Sequence, residues 1–231
     1  MRAIVIALSF GLAACATQTP VARDVAPRGE AAGSSIPAAL AGDAGASLNP
    51  ADAPAGAYRL DPRHASVIWR VRHTGLGIFV ARFDAIAADL RFDPQNPAVF
   101  AVDVTIDANS VSTGVLDQQG QGRGGFDREI ASVLGASAAP RIHFVSRTIT
   151  VTGPTTGLIE GDLTLNGQTH PVTLETQFQG GRFVLLRNAN TLAFSGRTII
   201  QRAQWGVGSA LFDQFAGDAV EILIEAEFVK A

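Results

Sequence analysis

The chain encodes an all-β domain of antiparallel strands, a sandwich or a closed barrel, behind an N-terminal export segment. Three features predict this. Apolar and polar residues alternate with period two over most of the stretch from Tyr58 to Phe228, as in strands with one buried and one wet face. Turn-forming pairs such as Gly153-Pro154 and Asn166-Gly167 punctuate the alternation. An apolar run, Ala3 to Ala14, ends against the single cysteine, Cys15.

The strands follow in order. Val67, Trp69, Val71 and His73 share one face of the first, with Arg70 and Arg72 on the other. Ile86, Ala88, Leu90 and Phe92 alternate with Ala87, Asp89 and Arg91, and Ala98, Phe100, Val102, Val104 and Ile106 with Asp103, Thr105 and Asp107. Later strands begin at Ile142 and Gly161. Val172 to Phe178, Leu192 to Phe194 and Val220 to Phe228 complete a set of eight or nine. Residues 109–139 lack the period, and one or two short helices are expected there, around Asp127 to Leu134. A loose Gly-rich stretch is expected at 120–125.

Composition narrows the function. The hydrophobic fraction of 47% excludes a disordered chain. Without Arg2 the chain keeps 17 basic against 21 acidic side chains, a net of −4, which does not suit nucleic-acid binding. One cysteine excludes an internal disulfide, a zinc-finger cluster and a thiol redox pair.

The N-terminal apolar run is about twelve residues long, short of the roughly 20 needed to span a bilayer, so it reads as a signal segment. Leu12-Ala13-Ala14-Cys15 resembles the lipobox of bacterial lipoproteins. That resemblance implies removal of residues 1–14 and acylation of Cys15. By resemblance to the sorting rule of enterobacterial lipoproteins, Ala16 in place of Asp implies transfer to the outer membrane. The expected localisation is therefore export, with lipid anchoring on the periplasmic face of the envelope. Residues 15–56 are rich in Ala, Gly, Pro and Ser, with no aromatic, and read as a flexible tether spanning roughly 35 Å. The folded domain is expected over 57–231.

Several segments carry a resemblance to a known family. They include Tyr58-Arg59-Leu60-Asp61-Pro62-Arg63-His64, Trp69-Arg70-Val71-Arg72-His73, Ile106-Asp107-Ala108-Asn109-Ser110-Val111, the Phe126-Asp127 pair and Pro140-Arg141-Ile142-His143-Phe144. Gly161-Asp162-Leu163-Thr164-Leu165-Asn166-Gly167-Gln168 forms a hairpin, and Gln201-Arg202-Ala203-Gln204-Trp205-Gly206 and Gly217-Asp218-Ala219-Val220 follow. In this order they resemble the YceI-like domain, the polyisoprenoid-binding periplasmic family. The resemblance implies an extended, lipocalin-like antiparallel β-barrel of about eight strands with one or two short inserted helices. It also implies an apolar lumen that takes a long lipid: polyisoprenoid, quinone-like or fatty-acyl.

On that resemblance the expected ligand-binding residues are Trp69, Val71, His73, Phe100, Val102, Val104, Phe144, Leu163, Leu165, Arg202 and Trp205. His73 is expected to be a buried, hydrogen-bonded barrel residue. Arg202 and Trp205 either meet a polar head or close the barrel. No metal or cofactor is expected, because His64, His73, His143 and His170 show no ligand spacing. No catalysis is expected: no G-x-S-x-G occurs, and Asp213, Asp218 and Glu221 read as solvated acids. The function expected is carriage or sequestration of an apolar lipid, with the membrane as partner through acyl chains. A filled structural barrel and a lipid-acting enzyme are the alternatives, and the sequence leaves open a homodimer.

Overall fold

The computed structural model describes residues 45–116, 125–209 and 211–231. The expected signal segment, Cys15, the expected tether as far as residue 44 and all of the expected Gly-rich stretch except Gly125 lie outside the described residues. Ten strands form: β1 (Gly56–His73), β2 (Gly77–Phe83), β3 (Ile86–Phe92), β4 (Ala101–Asp107), β5 (Val111–Ser112), β6 (Arg141–Val151), β7 (Thr156–Leu165), β8 (Gln168–Val184), β9 (Ala189–Gln201) and β10 (Ala216–Lys230). Among the described residues one α-helix, α1 (Gly125–Val133), stands between β5 and β6. No helix among the described residues is long and apolar enough to cross a membrane.

Every pairing is antiparallel. Around the molecule the order is β1, β3, β4, β6, β7, β8, β9, β10, and β10 pairs back onto β1. This closes an eight-stranded barrel. β2 and β3 both pair with one edge of the long β1, β2 at Val67–His73 and β3 at Gly56–Arg59. They run as one strand broken at Asp84-Ala85. β5 adds two residues to β2.

Local chemistry sets the corners. Asn166 and Gly167 both take positive φ, 49° and 71°, as a two-residue I′ hairpin requires. Asn188, at φ 48°, ends the turn between β8 and β9. A wide bulge sets the height of one wall: Leu60 pairs with Phe228 and Ala65 with Ala226, so Asp61 to His64 oppose Glu227 alone.

The domain begins earlier than composition suggests. Ser47 exchanges two backbone hydrogen bonds of 2.9 Å with Gly181. A 3-10 turn over Pro50–Asp52 follows, capped by Asn49. Ala53 is buried, and the Tyr58 hydroxyl donates to the Pro54 carbonyl. Residues 47–55 are therefore a strap docked on the barrel, not tether. Low aromatic content concealed this, because the groups that hold the strap, the Gly181 backbone, the Tyr58 hydroxyl and the Lys230 ammonium, all lie outside the segment itself.

On the outer wall Glu221 accepts from Arg70 and from Arg197, the latter at 2.8 Å. Partial burial pushes the Glu221 carboxyl up, but the hydrogen bonds and charges of the two arginines outweigh it and hold the group below its ordinary 4.5. A lowered carboxyl stabilises the fold above its unfolded pKa, and that gain is lost as pH falls through the folded value. Replacing Arg197 with Met should therefore cost about 1–2 kcal/mol at neutral pH. The gap to the native protein in thermal unfolding should narrow as the pH drops below 4.5. A constant gap across that range would refute the assignment.

Candidate functional site: an apolar lumen

The inward faces of the strands converge on one cavity of about 550 Å³. Trp69 and Val71 of β1, Ala88 of β3, Val104 of β4 and Phe144 of β6 line it on one side. Leu163 of β7, Leu174 of β8, Ile200 of β9 and Ile224 of β10 line it on the other. Each lies on the apolar parity of its strand, so period-two patterning supplies the wall directly. Small residues hold the space open: Ala88, Gly196 and Ala226 lie on the wall where bulkier side chains would meet.

The two ends differ. At one end Ile130 of α1 and Val207, both buried, join Arg202 on the wall. α1 is held there by Asp127, a buried carboxylate that accepts from the Thr113 backbone N–H at 2.9 Å and from its hydroxyl at 2.6 Å. Next to it the Phe126 ring meets Phe79 edge-on, with centroids 5.9 Å apart. At the other end the lining residues are exposed or half-exposed: Asn49, Ala51, Pro94, Pro154 and Thr156. That end is the mouth. Behind it lies an aromatic cluster in which Phe92 stacks on Phe100 at 4.9 Å and on Phe178 at 6.3 Å.

The structure places nine of the expected residues on the wall: Trp69, Val71, Phe100, Val102, Val104, Phe144, Leu163, Leu165 and Arg202. His73 and Trp205 are not there. His73 is exposed. It ends β1 at the rim, where the register against β10 jumps from Val71–Val220 to His73–Ala216, so the inward parity does not carry through to it. Trp205 is buried, but its Nε1 donates to the Leu163 carbonyl at 3.0 Å and its ring meets His170 edge-on at 5.1 Å. The 3-10 turn over Arg202–Trp205 breaks the alternation and turns the indole off the cavity.

Arg202 lines the lumen without offering it a free charge. Its guanidinium donates to the carbonyls of Gly217 (2.8 Å), Val207 (2.7 Å) and Ala216 (2.9 Å) and to Asp213 (2.7 Å). It staples the segment after β9 to the start of β10. The other acids named from sequence also find separate partners: Asp218 accepts from the Ala203 N–H, and Glu221 from its two arginines.

Sequence reasoning missed three contributors. The strap residues Asn49–Ala51 and the α1 face around Ile130 line the cavity without any strand period. The third is a charged knot on the outside of the bulge. There His64 Nδ1 lies 2.8 Å from Asp61, and Arg187 bonds Asp61 at 2.7 Å and Glu227 at 2.9 Å. Asp61, His64 and Glu227 are close enough to hold a cation, but Arg187 already stands among them, and none of them lines the cavity. Burial pushes the Asp61 carboxyl up. Hydrogen bonds from His64 and the Arg63 N–H, with the Arg187 charge, more than reverse it.

A closed eight-stranded antiparallel barrel around one apolar lumen is the lipocalin-like class of architecture. Within it, the chain belongs to the YceI-like domain family, whose model matches residues 58–228. Curated relatives include UPF0312 proteins of Yersinia pestis and Pseudomonas aeruginosa, each 34% identical over 125 residues, which is 53% of this chain. The chain spans 62% of the length of these relatives. Among solved structures, Burkholderia cenocepacia BcnA superposes with a TM-score of 0.62 at 22% identity, covering 73% of this chain and 98% of that one. A polyisoprenoid binding domain from Saccharophagus degradans, implicated in plant cell wall breakdown, gives 0.53 at 13% identity, covering 75% and 98%. At these identities the structures establish the shared fold.

Close packing shapes the wall at one glycine. A methyl group at Gly161 would overlap the Val145 carbonyl and come within 2.7 Å of the Phe144 ring. Gly161→Ala should therefore cost about 1–3 kcal/mol, read as a lowered denaturant midpoint. An unchanged midpoint would show that Phe144 moves freely.

Proposed function

We propose that the protein binds one long apolar lipid of the polyisoprenoid, quinone-like or fatty-acyl class, and carries or sequesters it. The cavity is the observation that supports this most strongly. Its volume falls within the roughly 300–1,000 Å³ typical of ligand sites, and aliphatic and aromatic side chains line it along the barrel. Moving an apolar chain from water into such a lumen contributes roughly 25 cal/mol per Å². The name of the Saccharophagus domain supports the same ligand class. Binding rather than catalysis fits a wall whose one arginine is held by backbone carbonyls and Asp213. A filled structural barrel is disfavoured by the open lumen.

The same reading includes export and anchoring through an acylated Cys15, with the barrel on the periplasmic face of the outer membrane. Sequence alone supports this part: the short apolar run, the small residues before Cys15, and the position of Cys15.

Native mass spectrometry of protein purified from its own host should show a barrel with one co-purified lipid. Ala88→Phe should narrow the lumen and remove that mass while leaving the β spectrum intact. An empty native protein that also fails to bind a prenyl or acyl probe would overturn the reading.

A further inference from the structure

The turn between β8 and β9 presents Leu185 and Leu186 to solvent, 81% and 99% exposed. β8 pairs with β7 only as far as Gln177, opposite Thr156 at the mouth. The hairpin thus continues beyond the rim, and its two leucines sit at its tip. The tip is braced: Arg187, the next residue, is tied to Asp61 and Glu227.

The apolar surface continues toward the lumen. Phe183 is half exposed, and Leu48 is 63% exposed. Leu48 lies against Gly180 in the strap, beside the Ser47–Gly181 bridge. The next residues, Asn49 to Ala51, line the mouth. Leu48 and Phe183, one on each side of the Ser47–Gly181 bridge, thus stand between the hairpin tip and the residues that line the mouth. Arg63, its side chain 84% exposed, stands in the bulge whose Asp61 binds Arg187 of the hairpin, as suits a surface that meets anionic headgroups.

We propose that Leu185 and Leu186, with Phe183 and Leu48, dock into the surface of a phospholipid bilayer and hold the cavity mouth against it. The proposal deepens the lumen reading and rests on it, since a lipid ligand must be collected from a bilayer. A second copy of the chain suits the patch less well. Four partly exposed side chains offer less than the roughly 800 Å² each partner gives up in a stable protein interface. Shallow insertion of a few apolar side chains beside cationic ones is instead a mode of interfacial membrane binding.

The full chain carrying Leu186→Trp, mixed with phosphatidylethanolamine–phosphatidylglycerol vesicles bearing brominated acyl chains, tests this. Trp69 and Trp205 are buried, so the unsubstituted protein supplies the background. The added emission should shift to the blue and be quenched by bromine. A tryptophan at Leu76, 84% exposed on the β1–β2 turn, should stay unquenched. In a second arm, Leu185→Asp with Leu186→Asp should slow uptake of a fluorescent prenyl alcohol from vesicles about tenfold or more. Its binding of the same probe from aqueous solution should be unchanged. No quenching at 186, equal quenching at 76 and 186, or a blue shift without vesicles would each overturn docking; the last would mean a second copy covers the tip. Failure of the unsubstituted protein to bind the soluble probe would instead count against the lumen reading, separately from the quenching result.

Discussion

The ladder between β10 and β1 is the interaction on which the rest depends. It runs from Tyr58–Lys230 to His73–Ala216, the first strand of the barrel against the last. An open eight-stranded sheet would leave two rows of unpaired backbone groups and could not enclose anything. Closure removes those edges and makes an inside. Eight strands give an interior only just wide enough for side chains or one ligand. Which of these results then depends on the side chains, and here Ala88, Gly196 and Ala226 tip it toward a cavity.

The bulge in this ladder has consequences at a distance. Four residues, Asp61 to His64, stand opposite Glu227. They bring a carboxylate and an imidazole to the outer surface beside Arg187, 123 residues away from His64 in sequence. The knot anchors the base of the β8–β9 turn. A barrel wall made only of regular ladder would have no such brace, and the hairpin tip beyond the mouth would lack a fixed direction.

The alternation was legible because a strand's inward face follows simple parity. Val102 and Val104, or Leu163 and Leu165, reach the lumen wherever the ladder is regular. Parity fails where the backbone leaves the ladder. His73 lies past a register jump, and Trp205 lies in a 3-10 turn, so neither reaches the wall. A helix near Asp127 could be read from the loss of period two, but the Asp127–Thr113 clasp could not, since it joins residues 14 apart in sequence that share no period. The strap at Ser47 to Ala55 was hidden for a different reason. Its partners, Gly181, the Tyr58 hydroxyl and Lys230, lie outside the segment, and its own composition carries no record of them. Family resemblance supplied the barrel and the lumen; parity alone left sandwich and barrel open.

The polar groups on the wall bear on how selective such a lumen is. Arg202 is held by three carbonyls and Asp213. The Thr176 hydroxyl donates to the Gly157 carbonyl, and Ser195 accepts from Gln179. A site discriminates strongly when buried donors or acceptors are left unpaired by the wrong ligand, whereas an apolar pocket separates homologues by only about 1–3 kcal/mol per methylene. These three groups are already paired within the protein, whereas the Trp69 indole Nε1, also on the wall, is buried with no hydrogen-bond partner, and burial raises the Glu225 carboxyl at the same cavity. Length and girth are bounded by the α1 end at one limit and the mouth at the other, and the Trp69 Nε1–H is a buried donor that an occupant with an acceptor at that depth would satisfy. The lumen therefore combines a shape limit with one unpaired donor on its wall, and it opens to solvent where the strap and the exposed loops form the mouth.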